Sequence, residues 1–180
     1  HHRRLPSRSS TTQGRERISV TTNEETVRLA QRVNGMVKAY MAVQDDLFRP
    51  SLRKILRIPG IYQPVDYEKN GEILEGLLGE LAGVKSAIRH DVPDSSPEET
   101  RFLGTLRGYV SLMGSAVEKL RFICGRLGDR SRGAAYGKED YRSDMTELRV
   151  IQKKHLEAGM KLNGMMKELA AGPKGKEGGM

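Results

Sequence analysis

Apolar residues recur along the chain at alternating spacings of three and four, the pattern of helices that bury one stripe against their neighbours. Ser96 is placed to cap the clearest segment, Pro97 suits the first helical position, and Glu99 completes a capping box. We expect this helix to end at Gly128. Its apolar residues step by 4, 3, 4, 3, 4, 3 and 4 through Phe102, Leu106, Tyr109, Met113, Ala116, Leu120, Ile123 and Leu127.

Three further segments repeat this pattern. The first opens with a capping box formed by Thr22 and Glu25 and is ended by Pro50. The second runs from about Gly71 to His90, and the fourth from about Glu139 to Ala171. Their stripes are Ala30, Val33, Val37, Tyr40 and Leu47; then Leu74, Leu77, Leu81, Val84 and Ile88; then Leu148, Ile151, His155, Ala158, Leu162, Met165 and Leu169.

Strand patterns are essentially absent from the sequence, so the predicted fold class is all-α. Helices of these lengths form rods of roughly 30 to 50 Å, and short connections favour antiparallel neighbours. We predict an elongated up-down-up-down four-helix bundle with a long structured connector between helices 1 and 2 and with extended basic tails. The predicted organisation is an Arg/Ser-rich arm over residues 1–20, a bundle over 21–171 and a flexible tail over 172–180.

The connector from Phe48 to Asn70 is too long for a simple turn. Its first part has the pattern of a short amphipathic helix, with Leu52, Ile55 and Leu56 on one side, and its second part is irregular. Long structured loops are often functional. The alternative is that the connector only caps the open end of the bundle.

Composition excludes several classes of protein. The lone Cys124 cannot form an intramolecular disulfide, and no uncharged apolar run of about 20 residues is present. A disulfide scaffold and a membrane-spanning protein are therefore excluded. We expect an intracellular, soluble, cytoplasmic protein. An organelle is the expectation if the N-terminus is the remnant of a cleaved leader.

The net charge of +8 is concentrated in the tails. Residues 1–20 carry five arginines and one acid, residues 172–180 add +1, and the body keeps +3. The arm has too few apolar residues to fold alone, so contact with a partner chain or nucleic acid would be needed to order it. His1 and His2 fit equally a purification-tag remnant or part of a longer precursor.

A set of basic residues is predicted to gather where the first and third helices end, and we call this set the basic pole. It would attract phosphates, acidic protein segments or an anionic surface. The alternative is that these bases only complement the negative ends of the helix dipoles. Tyr62 and Tyr67 in the connector are added as partner-binding candidates. The basic pole comprises Arg49, Arg53, Lys54, Arg57, Arg121, Arg126, Arg130 and Arg132.

No catalytic, cofactor-binding or metal-binding residues are predicted. His90 and His155 fall in no metal-ligand spacing, and no phosphate-binding glycine loop is present. His155 is expected to be a hydrogen-bonded core residue. The methionines are read either as core filler or as a surface for a partner helix: Met36, Met41, Met160, Met165 and Met166.

Glycine and serine form two ridges within the predicted helices, although glycine disfavours a helix interior. We expect these ridges to permit close approach of a backbone or a partner helix, with a ligand slot as the alternative. The residues are Gly76, Gly79, Gly83 and Ala87 on the second helix and Gly104, Gly108, Ser111 and Ser115 on the third.

These observations favour a non-catalytic helical-bundle protein that acts through protein–protein interaction, as an adaptor, a chaperone-like factor or an accessory subunit of a larger assembly. Its partners would be other protein chains or further copies of itself. The alternative is a nucleic-acid or phosphate-binding bundle that uses the basic pole and the Arg-rich arm.

Overall fold

The computed structural model describes residues 24–48, 64–90 and 95–171, and the regular elements in these ranges are four α-helices. They are α1 (Glu24–Phe48), α2 (Tyr67–His90), α3 (Pro97–Ser131) and α4 (Lys138–Ala171). The predicted all-α class is confirmed. Several predicted segments lie outside the described residues. They are the arm over 1–20, the tail over 172–180, the connector's residues 49–63 and the capping residue Thr22.

The start of α3 agrees with its sequence pattern, whereas its end does not. The Ser96 hydroxyl oxygen accepts a hydrogen bond of 3.2 Å from the amide of Glu99, and Pro97 is the first helical residue. The prediction that Gly128 ends the helix is wrong, since α3 continues to Ser131. The chain reverses at Gly133, whose φ of 104° is readily adopted by glycine alone.

The second helix begins earlier than its apolar stripe indicates. An Asp66 carboxylate oxygen accepts a hydrogen bond of 2.9 Å from the amide of Lys69, which makes Asp66 the N-cap and Tyr67 the first helical residue. The assignment of residues 67–70 to the connector is therefore corrected. Asn70 is buried, and its Nδ2 donates to Asp46 Oδ2 on α1 at 2.7 Å.

The core is organised around α3, because this helix packs against each of the other three. The predicted stripe on α3 is buried, except that Tyr109 is half-buried. A second buried stripe lies beside it at a constant spacing of seven and consists of Leu103, Val110, Val117 and Cys124. Two adjacent apolar stripes give α3 a face wide enough for several neighbours.

The fourth helix packs closely on α3 alone. Within the described ranges, no Cα of α4 comes within 8 Å of one on α1 or α2. Leu148 is its one buried residue, and the rest of its predicted stripe is only partly buried. Much of the surface of α4 therefore remains exposed to solvent.

A membrane-spanning helix, which needs a long stretch of apolar residues, is not found among the four described helices.

The glycines within the helices differ in their surroundings, which leads to a stability prediction. A Cβ at Gly79 would have no atom within 4 Å, whereas a Cβ at Gly128 would lie 3.1 Å from Cβ of Tyr67. Gly79→Ala is expected to raise the free energy of unfolding by about 0.5–1 kcal/mol through helix propensity. Gly128→Ala should fall short of that gain by at least about 1 kcal/mol, because the Tyr67 Cβ is fixed to the backbone.

Urea unfolding followed by helical circular dichroism measures both values, and Gly76→Ala serves as a second open-site control. Equal effects at positions 79 and 128 would contradict the contact between Tyr67 and Gly128.

Candidate interaction surface

The described half of the basic pole is already engaged within the chain. Arg121 Nη2 lies 3.6 Å from Glu75 Oε2 on α2, and both side chains are largely exposed. Arg132 Nη2 lies 2.8 Å from Asp129 Oδ1, three residues earlier in the chain. Exposed pairs of this kind contribute little to stability, but each partly neutralises its arginine.

The other two described arginines of the pole lie over tyrosine rings. The guanidinium carbon of Arg126 is 4.7 Å from the ring centre of Tyr136, and that of Arg130 is 6.0 Å from the same ring and 5.9 Å from that of Tyr141. These are cation–π distances. The structure thus brings Arg126 and Arg130 together around the α3–α4 turn.

The other half of the basic pole and one of the two tyrosines lie outside the described residues. These are Arg49, Arg53, Lys54, Arg57 and Tyr62. Tyr67 is half-buried at the start of α2, where its carbonyl oxygen accepts a hydrogen bond of 3.3 Å from the Cys124 thiol. Burial raises the pKa of that thiol, which keeps it protonated and poorly nucleophilic. The binding roles of the pole and of both tyrosines stay predictions.

A polar cluster that the sequence analysis missed ties the α3–α4 turn to both helices. The hydroxyl of buried Tyr136 donates to Asp144 Oδ2 at 2.6 Å, and Lys119 Nζ donates to Asp144 Oδ1 at 3.0 Å and also to Glu147. Arg126 is the nearer of the two arginines above the Tyr136 ring. No local spacing signals this cluster, since Lys119 and Asp144 are 25 residues apart.

Charge and burial oppose each other within this cluster. Burial raises the pKa of Asp144, but the hydrogen bonds from Tyr136 and Lys119 outweigh burial and lower it overall. The pKa of Tyr136 is raised by burial and by its hydrogen bond to Asp144. The pKa of Lys119 is raised mainly by its hydrogen bond to Glu147. The cluster thus holds one cation between two carboxylates and is suited to a structural role.

A shallow depression of about 500 Å³ lies between α2 and α3. Leu78, Phe122 and Gly125 supply its apolar lining, and Phe122 is about half exposed. Two arginines and two acids complete the lining, so their charges balance. Balanced charges do not favour an anion there.

A narrow polar bridge connects α1 to α4 where their backbones are apart. Gln152 Nε2 donates to the hydroxyl oxygen of Tyr40 at 2.8 Å and to Gln44 Oε1 at 2.7 Å. Tyr40 is buried, and burial raises its pKa. The bridge therefore limits how far α4 can move away from α1 at this level.

The exposed side of α4 carries a second stripe with helical spacing, which we call the α4 stripe. Leu156 and Met160 are 65% and 67% exposed, although both are large and apolar. None of the stripe's bases forms an ion pair with any residue in the described ranges, and each is exposed. The α4 stripe consists of Arg142, Arg149, Lys153, Leu156, Met160 and Lys167.

The five methionines differ in exposure. Met36 is buried in the core, and Met165 and Met166 are half-buried. Met41 on α1 and Met160 on α4 are 56% and 67% exposed. The sequence periodicity placed Met160 off the apolar stripe of α4, and this was the available signal for its exposure.

His155 is not the hydrogen-bonded core residue that its position predicted. It is partly buried, and its ring stacks on Tyr109 of α3 with centroids 4.2 Å apart and planes at 23°. Its Nε2 is buried and has no hydrogen-bond partner in the described part of the protein. Burial lowers the pKa of His155 and raises that of Tyr109.

The residues that the structure describes include no group of three His, Cys, Asp or Glu side chains that could hold a metal ion. Comparison of the chain with protein-family models, with curated proteins and with solved structures found no match.

The burial of His155 predicts a pH-dependent stability. Its folded-state pKa is below its ordinary value of 6.5, so the unfolded chain binds the proton more tightly. The stability that the protein gains from keeping His155 neutral is fully present above pH 6.5. It is lost as the pH falls from 6.5 through the folded-state pKa. Urea unfolding between pH 7.5 and 5 is expected to show a decline that His155→Phe reduces, because phenylalanine retains a ring that can stack but cannot titrate.

An identical pH profile for His155→Phe and the wild-type protein would contradict the assignment.

The polar cluster predicts different effects for two neighbouring tyrosines. Tyr136→Phe removes the donor to Asp144 and is expected to lower the free energy of unfolding by about 1–2 kcal/mol. Tyr141→Phe is the matched control, since the structure gives its hydroxyl no hydrogen bond to a described residue. Chemical denaturation of both variants measures the difference. Equal losses would show that the hydrogen bond from the Tyr136 hydroxyl to Asp144 does not stabilise the fold.

Proposed function

We propose that this protein is a non-catalytic helical bundle that acts through protein–protein interaction, as an adaptor, a chaperone-like factor or an accessory subunit of an assembly. The α4 stripe carries the proposal. Leu156 and Met160 lie one helical turn apart, are largely exposed, and have bases on either side along the helix. Exposed apolar residues at this spacing are typical of surfaces that receive a partner helix.

We infer an up-down-up-down course for the helices. Asn70 at the start of α2 is hydrogen-bonded to Asp46 near the end of α1, and Tyr67 lies beside Gly128 near the end of α3. Along α3 and α4, residue numbers run in opposite directions: Lys119 meets Asp144, and Tyr109 meets His155. These contacts support antiparallel neighbours.

This arrangement supports exposure of the α4 stripe at the bundle surface. The polar bridge from Gln152 holds α4 beside α1 without close backbone packing, and α3 covers only one side of α4. A partner that docks on the stripe would not have to displace a neighbouring helix.

The alternative is nucleic-acid or phosphate binding by the basic pole and the Arg-rich arm. Each described arginine of the basic pole has a partner within the chain. These arginines are Arg121, Arg126, Arg130 and Arg132. Binding an anion through Arg121 and Arg132 would require their ion pairs to be exchanged. The α4 stripe needs no such exchange, and we therefore favour protein interaction. Location in the cytoplasm or an organelle stays a prediction.

Site-specific photo-crosslinking tests this function. A benzophenone amino acid replaces Leu156 in the full chain, which is then irradiated in extract from its source, with and without nuclease. A nuclease-resistant crosslink to a protein is the expected result. The matched control places the same group at Lys161, an exposed position off the α4 stripe, and should give at most weak crosslinks.

Crosslinking that disappears with nuclease would move the function to the nucleic-acid alternative. Equal crosslinking from positions 156 and 161 would show that the stripe does not mark the interaction surface.

A further inference from the structure

The outward face of α2 complements the α4 stripe in charge. Glu68, Glu72 and Glu75 are exposed and follow one another at spacings of four and three. Gly79, four residues further, continues the series, and we call these four residues the α2 stripe. Glu75 is paired with Arg121, whereas Glu68 and Glu72 form no ion pair with a described residue.

The glycines on this face pack against nothing in the described part of the chain. A Cβ at Gly76 or at Gly79 would meet no atom within 4 Å. Glycine is disfavoured relative to alanine within a helix, so two exposed helical glycines weaken α2, and no contact with a described residue compensates for this. Small side chains on an outward face leave room for another helix to approach closely.

The two stripes match when the helices are placed side by side in parallel. The α2 stripe and the part of the α4 stripe from Arg149 to Met160 both have spacings of 4, 3 and 4, so one register aligns these four positions, with Glu75 opposite Leu156. Glu68 then lies opposite Arg149, and Glu72 lies opposite Lys153. In the same register Gly79 lies opposite Met160, where the missing side chain makes room for a long one.

We propose that the α4 stripe of one copy of this chain docks on the α2 stripe of a second copy. This inference rests on the proposed function and names the partner of the same surface. Charge complementarity selects this pairing, because α4 against α4 would bring four unpaired bases against four others.

The contact joins two different surfaces, so it is heterologous. Within one chain, α2 and α4 both pack on α3 and their Cα atoms do not come within 8 Å of each other. One chain therefore does not pair its own stripes, and each docked pair of copies leaves one stripe of each kind free. Association is expected to continue into a ring or an open series.

Sedimentation velocity over a concentration series at low salt tests the proposal with the full chain. Arg149→Glu with Lys153→Glu makes the α4 stripe acidic, and Glu68→Lys with Glu72→Lys makes the α2 stripe basic. Each double variant alone should associate about tenfold more weakly than the wild type, because like charges now face each other. An equimolar mixture of the two should recover association, since every acidic stripe again meets a basic one.

The matched control is Lys154→Glu with Lys161→Glu, which makes the same charge change on exposed positions of α4 off the stripe. Its association should be close to that of the wild type. Circular dichroism melting of each variant separates a loss of docking from a loss of folding. Gly79→Leu provides a second measurement, because it favours the helix while filling the space opposite Met160. It should weaken association without lowering the melting temperature.

A wild-type chain that stays monomeric over the whole series would overturn the proposal, and so would a mixture that fails to recover. Neither result would affect a nuclease-resistant crosslink from position 156 to a different protein, so failure of self-association is distinguishable from failure of the proposed function.

Discussion

The whole structure depends on the width of the apolar face of α3. One stripe runs through Phe102, Leu106 and Met113, and a second at a spacing of seven runs through Leu103, Val110 and Val117. Because the two stripes are adjacent, α3 buries side chains over a broad part of its circumference and contacts all three other helices. In contrast, among the described helices α4 packs its apolar stripe closely on α3 alone. Its exposed side carries the α4 stripe, which is basic with two exposed apolar residues.

The polar cluster at the α3–α4 turn offsets part of this one-sided packing. Lys119 holds Asp144 and Glu147, and Tyr136 closes over Asp144 from the turn itself. The first turns of α4 are thereby fixed to α3 although Leu148 is the one fully buried residue of α4. Further along, α4 relies on the ring stack of His155 with Tyr109 and on partly buried aliphatic side chains. Because no side chain in the second half of α4 is fully buried, that half is held less firmly.

The sequence predicted the fold class and the apolar stripes because helical periodicity is a local signal. It misplaced the start of α2, where the cap from Asp66 lies ahead of the first stripe residue. It also misjudged Gly128, since the residue that packs there is Tyr67, which is distant in the chain. Sequence patterns also could not predict the contact of Arg126 with Tyr136 or the hydrogen bond from Gln152 to Tyr40. Each requires two helices to be placed relative to each other, and a single sequence does not encode that distance in a spacing.

Net charge is a poor guide to the surfaces of this protein, because acids and bases on a helix are separated by face. Helix α4 carries seven bases and six acids, which suggests a nearly neutral rod. Yet between Arg142 and Lys167 no acid falls on the α4 stripe, while Asp144 and Glu147 are directed to Lys119. Charges within a Debye length of about 8 Å act on a docking partner with little screening. The bases of the α4 stripe, which form no ion pair with a described residue, would therefore act on a docked partner at short range. The apolar pair between them would supply a contact that salt does not weaken.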